Sequence, residues 1–250
     1  MKKISVIIPA LNEEKNIAKV ISCVKKCNLI DEIIVVDNNS IDKTASIAKE
    51  MGTTTLLCKK RGKGYAMECG IKNCSSDYVI FVDGDIGDYE SNFLDKMLRP
   101  LIDDDYDFVK SSFERTGGRV TELVAKPLLE ILFPELGVYN QPLSGIIAGK
   151  KALFDELTFE KDYGVDIGIL IDVYKLKAKM TQVYIGKITN SSQDWKSLIG
   201  MSKQVSKAII KRSHQKKKME IHPQPLKTPQ HPQSGSLWWA GHVQIQRREV

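Results

Sequence analysis

No apolar run in this 250-residue chain approaches the roughly 20 residues that a membrane-spanning helix requires. The opening stretch MKKISVIIPALNEE puts lysines ahead of an apolar run, as a secretory leader does. The run is short, however, meets Pro9 and ends in acidic residues instead of a small-residue cleavage site. It reads as a first strand, and the protein as cytoplasmic. Zinc-ribbon spacing is also missing. Of the 5 cysteines, Cys23 and Cys27 would share a helix face, but no second pair at ligand spacing follows. An odd count without an export signal implies reduced thiols. Aromatic residues are sparse at 7%, and none is interleaved with the basic residues of KQVSKAIIKRSHQKKK (203–218), so no nucleic-acid partner is expected. That segment carries much of the net charge of +6. It reads as a solvated basic helix end, with weak attraction to an anionic membrane surface as the alternative.

What is present is an ordinary globular composition, 42% hydrophobic and 27% charged. The first half alternates strand and helix patterns. KISVIIPA, EIIVVD, TTLLCK and YVIFVD read as strands. EEKNIAKVISCVKK, DKTASIAKEMG (closed by Gly52) and RGKGYAMECGIKN read as the helices between them. Such alternation predicts an α/β fold: a parallel sheet with helices on both faces. Further strands are expected over 107–113 and KMTQVYIGKI, and helices over RVTELVAKPLLEIL, over GVDIGILIDVYKLKA as a long amphipathic helix, and over 195–213. One domain is expected over 1–213, with halves at 1–88 and 107–213. The tail, 214–250, is basic and then rich in Pro, Gln and His, a flexible composition.

YVIFVDGDIGD (78–88) sets Asp83, Asp85 and Asp88 directly after a buried strand. Clustered carboxylates repel unless a cation sits between them, and Mg²⁺ or Mn²⁺ favour carboxylate, water and phosphate oxygens. An acidic Asp-Gly turn is the competing reading. In doubly wound sheets ligands bind at the carboxyl ends of the strands. Pro9–Glu14, Asp37–Ser40 and Asp83–Asp85 all fall there, which favours the metal. The GKG triplet at 62–64 lacks Walker A spacing and offers Lys63 on a mobile turn. Gly117, Gly118, Arg119 and Thr121 would make an anion site, or merely a glycine-capped helix with a surface arginine.

The segments VIIPALNEEKNI, VVDNNSIDKT and FVDGD resemble those of GT-A fold glycosyltransferases, which implies a Rossmann-like, mixed, mainly parallel sheet flanked by helices. TGGRVTELVAKPLLEILFPELG, QPLSGIIAGKKAL, DYGVDIGILIDVY and MSKQV are similar to the glucosyl- and mannosyl-3-phosphoglycerate synthases, over roughly residues 3 to 213. The resemblance implies a retaining, metal-dependent enzyme that moves a hexose from UDP-glucose or GDP-mannose to the 2-hydroxyl of 3-phosphoglycerate. It places Pro9, Ala10, Leu11, Glu13, Asn39, Lys63, Asp83 and Leu143 at the donor, with Gln141–Gly145 lining the sugar pocket. Gly118, Arg119, Val120, Thr121 and Tyr163 fall at the acceptor. Asp85 and Asp166 become catalytic, Asp166 by positioning the sugar, and Asp85 and Asn190 hold Mg²⁺ or Mn²⁺. It also implies a homodimer. The chain departs from that pattern at Asp166, where the family has glutamate, and at Asn190, where it has histidine. At Ser144-Gly145 the family has Gly-Gly, and the serine is expected to narrow the pocket. The chain starts directly at its first strand, so family elements at its ends are expected to be missing. Two other functions remain open: a polyprenyl-phosphate or polysaccharide acceptor, and a non-catalytic nucleotide-sugar binder.

Overall fold

The computed structural model describes residues 2–85, 89–115, 118–188 and 194–215. Most of the tail expected to be flexible lies outside these residues. The expected alternation is present as β1 (Ile4–Ala10), α1 (Ile17–Val24), β2 (Glu32–Asp37), α2 (Thr44–Glu50), β3 (Thr54–Leu57), α3 (Lys63–Lys72) and β4 (Tyr78–Phe81). Gly52 follows α2 with φ +69°, as a helix-ending glycine should. The chain continues through α4 (Phe93–Ile102), β5 (Phe108–Arg115) and a π-helical turn (Thr121–Ala125) that runs into α5 (Lys126–Leu132). After these come β6 (Ile147–Lys150), α6 (Lys151–Asp155), α7 (Val165–Lys175), β7 (Met180–Ile188) and α8 (Trp195–Gln215).

The strands form one 7-stranded sheet in the order β3-β2-β1-β4-β6-β5-β7. Only β6 runs against its neighbours β4 and β5. Period-two alternation sends successive side chains to opposite faces. Ile7, Ile34, Val36, Val79 and Phe81 therefore pack with residues of α3, α5 and α7. Val6, Ile8, Val35, Ile80 and Val82 pack on the other face with residues of α1 and α4. Both faces are covered, which explains why the strand segments read as continuous apolar runs.

Three features depart from the sequence reading. Neither α4 nor the short β6 stood out from their residues; β6 is four residues long and exists only because β4 and β5 flank it. The helix expected to be amphipathic, α7, is buried from Val165 through Ile171 without interruption, and at Val173 beyond. One side faces the sheet core, and Val205, Ala208 and Ile209 of α8 join the same cluster. Its polar residue Asp172 is served by Arg212 of α8, 3% exposed, which bonds Asp172 at 2.7 Å and Glu160 at 2.7 Å.

Candidate active site

The loops after β1 and β2 lock together. The Asn12 N–H donates to Ser40 Oγ (2.9 Å), the Ile41 N–H to Asn12 Oδ1 (2.9 Å) and the Glu13 N–H to Thr44 Oγ1 (2.7 Å). These bonds bring Pro9, Ala10, Leu11 and Glu13 beside residues 37–40. The Glu13 carboxyl is pushed up by partial burial while accepting from Asn16 Nδ2 at 2.9 Å. Asn39 is exposed in a left-handed conformation, φ +65°. Its neighbour Asn38, 3% exposed, bonds the Cys58 and Lys60 carbonyls and accepts from the Gly62 N–H at 2.7 Å. Asn38 thus fixes the loop entering α3, a role with no local sequence signal.

The Gly-Lys-Gly turn, expected to be mobile, packs closely against the segment that leads into α7. Gly62 has φ +139°, and a Cβ on it would overlap the Lys161 carbonyl; one on Gly64 would overlap the Glu160 carbonyl. The glycines let the segment entering α7 press against the start of α3. Lys63 consequently reaches two carboxylates at once, Asp83 at 2.8 Å and Asp166 at 2.9 Å. Burial works against its charge, but Asp166 and then Asp83 outweigh burial and hold the ammonium well above its ordinary range. Burial raises the Asp166 carboxyl, 2% exposed, against the pull of Lys63. Its Oδ1 is buried without a hydrogen-bond partner.

The 141–149 segment is buried throughout and carries Leu143, 7% exposed. A Cβ on Gly145 would overlap both Lys63 Nζ and Asp83 Oδ1, so this residue lies against the ion pair. Ser144 is the residue expected to narrow a sugar pocket. Its hydroxyl turns back to Ser111 Oγ at 2.7 Å and accepts from the Ile146 N–H at 3.1 Å. The Ser144 carbonyl accepts from Lys110 Nζ at 2.7 Å. Lys110 is fully buried on β5, and that burial lowers its pKa to about 8.

Asp83 and Asp85 sit at the end of β4. The Tyr89 hydroxyl donates to the Asp83 carbonyl at 3.0 Å, and its ring stacks on Phe93 at 4.4 Å. Asp85 has accessible surface, yet protein crowds around it. That crowding, with Asp83 and Glu13 nearby, pushes its carboxyl up to about 6. A cation would relieve this excess of negative charge, and Mg²⁺ commonly uses one or two carboxylates with phosphate oxygens and water. Hard oxygen donors at this position fit it. Among the described residues no three His, Cys, Asp or Glu side chains enclose an ion; Asn190 and Asp88 lie outside the described residues.

The expected acceptor residues follow β5. Gly118 has φ +92°; Val120 and Thr121 are 4% and 1% exposed, and Thr121 opens the π-helical turn. Such turns recur at functional sites. Arg119 is exposed, with its guanidinium 5.2 Å over the Trp195 ring. Tyr163, 47% exposed, is held by an N–H bond to Gln204 Oε1 at 3.3 Å. Gly117 lies outside the described residues. Arg115, absent from the sequence reading, donates to Thr121 Oγ1; its only sequence signal is its place at the strand end.

The family model for glycosyl transferase family 2 matches residues 5–160. The chain belongs to that family. The match takes in Lys63, Asp83, Asp85 and Arg119 and stops short of Asp166. Relatives of this glycosyltransferase extend further. Glucosyl-3-phosphoglycerate synthase of Mycolicibacterium smegmatis is 35% identical over 235 residues, 84% of this chain and 78% of the relative. The Petrotoga mobilis protein of that name is 33% identical over 247 residues, 88% of this chain and 76% of its own. The glycosyltransferase superposes on glucosyl-3-phosphoglycerate synthase of Mycobacterium tuberculosis with a TM-score of 0.81 at 36% identity, covering 85% of this chain and 80% of that one. That structure is a complex with Mn²⁺, UDP-glucose and phosphoglyceric acid; another holds Mg²⁺ and UDP. The sheet order and the helices on both faces are those of the GT-A fold. Among the described residues no helix is long and apolar enough to cross a membrane.

Proposed function

We propose that this glycosyltransferase moves glucose from UDP-glucose to the 2-hydroxyl of 3-phosphoglycerate with retention of configuration, aided by Mg²⁺ or Mn²⁺. One observation carries the reading: Asp166 Oδ1 is buried without a hydrogen-bond donor, while Lys63 holds the other oxygen at 2.9 Å. An unpaired buried acceptor is unfavourable, so the site is complete only when a ligand supplies a donor. A sugar hydroxyl is such a donor. With Oδ2 committed to Lys63, Asp166 positions the sugar rather than attacking its anomeric carbon.

In this reading Pro9, Ala10, Leu11, Glu13 and Asn39 border the nucleoside, Asp83 meets the ribose, and Leu143 lines the sugar pocket. Asp85 would hold the cation, with Asn190 as the position that the family resemblance adds. When bound, the cation acts as a Lewis acid on the diphosphate, where leaving-group charge builds. Gly118, Arg119, Val120, Thr121 and Tyr163 receive the acceptor. Retention then follows from attack on the face the diphosphate leaves, the departing phosphate taking the acceptor's hydroxyl proton. A homodimer belongs to the same proposal and is tested by sedimentation.

UDP release from UDP-glucose, with and without 3-phosphoglycerate, tests the assignment. Release that requires 3-phosphoglycerate, with an α-configured product by the NMR coupling of its anomeric proton, is the expected result. A β-configured product overturns retention. Indifference to 3-phosphoglycerate overturns the acceptor.

A further inference from the structure

Arg115 closes β5 with its guanidinium against Gly118. A Cβ on Gly118 would come 2.6 Å from Arg115 Nε and 2.7 Å from Nη2, so glycine at 118 is what allows the approach. One N–H donates to Thr121 Oγ1, itself 1% exposed. The guanidinium also faces the Phe113 ring at 5.8 Å. Among the described residues no carboxylate lies within ion-pair distance of it, whereas Arg212 has two and Arg99 has one. Burial lowers its pKa against the attraction of Glu122 and Asp83. A half-buried guanidinium has five N–H donors, and this one is matched to a neutral hydroxyl. Desolvating a cation without an anion is unfavourable, so the arrangement is suited to a ligand that brings negative charge.

The Thr121 hydroxyl sharpens the point. Its oxygen accepts from Arg115, and among the described residues its own proton has no acceptor. A hydroxyl whose oxygen accepts from a cation is polarised into a stronger donor. We propose that Arg115 is an acceptor-recognition residue, which aims and polarises the Thr121 hydroxyl toward an anionic oxygen of the acceptor and supplies positive charge beside it. Arg115 and Arg119 then flank Gly118 as a pair of guanidinium groups, suited to an acceptor with two anionic groups. This rests on the acceptor reading proposed above.

The test is UDP release by the full chain, with the KM for 3-phosphoglycerate and for UDP-glucose measured separately in wild type, Arg115→Gln, Arg115→Lys, Thr121→Val and the Arg115→Gln, Thr121→Val pair. Loss of a charge-assisted contact predicts an acceptor KM raised about 10- to 100-fold in Arg115→Gln. The UDP-glucose KM should stay within about twofold, and Arg115→Lys should recover part of the loss. The double variant should be little worse than the worse single one. A fall in kcat with both KM values moved alike, or a loss tracking a lower melting temperature, overturns the proposal and leaves the acceptor reading standing. Wild-type turnover indifferent to 3-phosphoglycerate overturns both.

Discussion

Lys63 and Asp166 are 103 residues apart in sequence and meet at 2.9 Å, with Gly145 packed against the lysine. The same ammonium holds Asp83 at 2.8 Å, so one lysine joins the Asp83–Asp85 turn to helix α7. Lys63→Met leaves two enclosed carboxylates without their counter-charge. It should destabilise the fold by about 3 kcal/mol and reduce kcat/KM on the order of 100-fold or more. Asp166→Asn keeps the shape and should lose turnover while binding UDP nearly as wild type. Urea unfolding and UDP titration, measured beside turnover, separate the two effects.

Gly64 sets helix propensity against packing. Alanine at an exposed helical position would add about 1 kcal/mol of stability. Here the added Cβ would overlap the Glu160 carbonyl, a backbone atom that cannot swing aside. Gly64→Ala should therefore destabilise by about 1–3 kcal/mol and separate Lys63 from Asp166. A gain in urea midpoint would show that the approach of 160–161 to α3 is not a constraint.

Lys110 makes stability depend on pH in an unusual direction. Its ammonium loses its proton near pH 8 in the folded chain, against an ordinary value of 10.5. Below pH 8 both folded and unfolded chains hold the proton, and the burial penalty is present in full. Between pH 8 and 10.5 only the unfolded chain holds it, so this residue's contribution to stability improves as pH rises. Lys110→Met removes the titration and one hydrogen bond to the Ser144 carbonyl. Its stability relative to wild type should fall by about 3 kcal/mol between pH 7.5 and 10.5. Denaturant curves for both proteins across that range decide it; a constant difference would mean the ammonium is not desolvated.

Chelation should separate chemistry from folding. The sheet core is apolar on both faces, and the proposed cation site lies at a strand end outside it. EDTA should abolish turnover, with recovery on Mg²⁺ or Mn²⁺, and leave the melting temperature within a few degrees. Asp85→Asn should reproduce the loss with metal present. Full activity in EDTA would remove the cation from the proposal.

The fold was legible because its signals are local. The apolar runs ending at Phe81 and Ala10 announce buried strands, and GKG followed by helical spacing announces α3. The carboxyl-end rule then gathered Pro9–Glu14, Asp37–Ser40 and Asp83–Asp85 without coordinates. Gly62 and Gly64 stand out in the sequence, but a glycine required for close approach looks there the same as one required for motion. Asn38 and Arg115 went unread because what they do depends on carbonyls and a hydroxyl supplied by other loops.

From residues alone, then, came the strand–helix alternation, the two-faced sheet and the placing of carboxylates at the carboxyl ends of its strands. Each follows from periodicity and turn chemistry within a dozen residues. Tertiary structure alone decided that β6 would enter the sheet antiparallel, that α7 would be buried almost all round, and that Lys63 would face Asp83 and Asp166 together. Those outcomes depend on which segments pack against each other across a hundred residues. That packing is set by the shapes and burial of whole elements, and no local spacing encodes it.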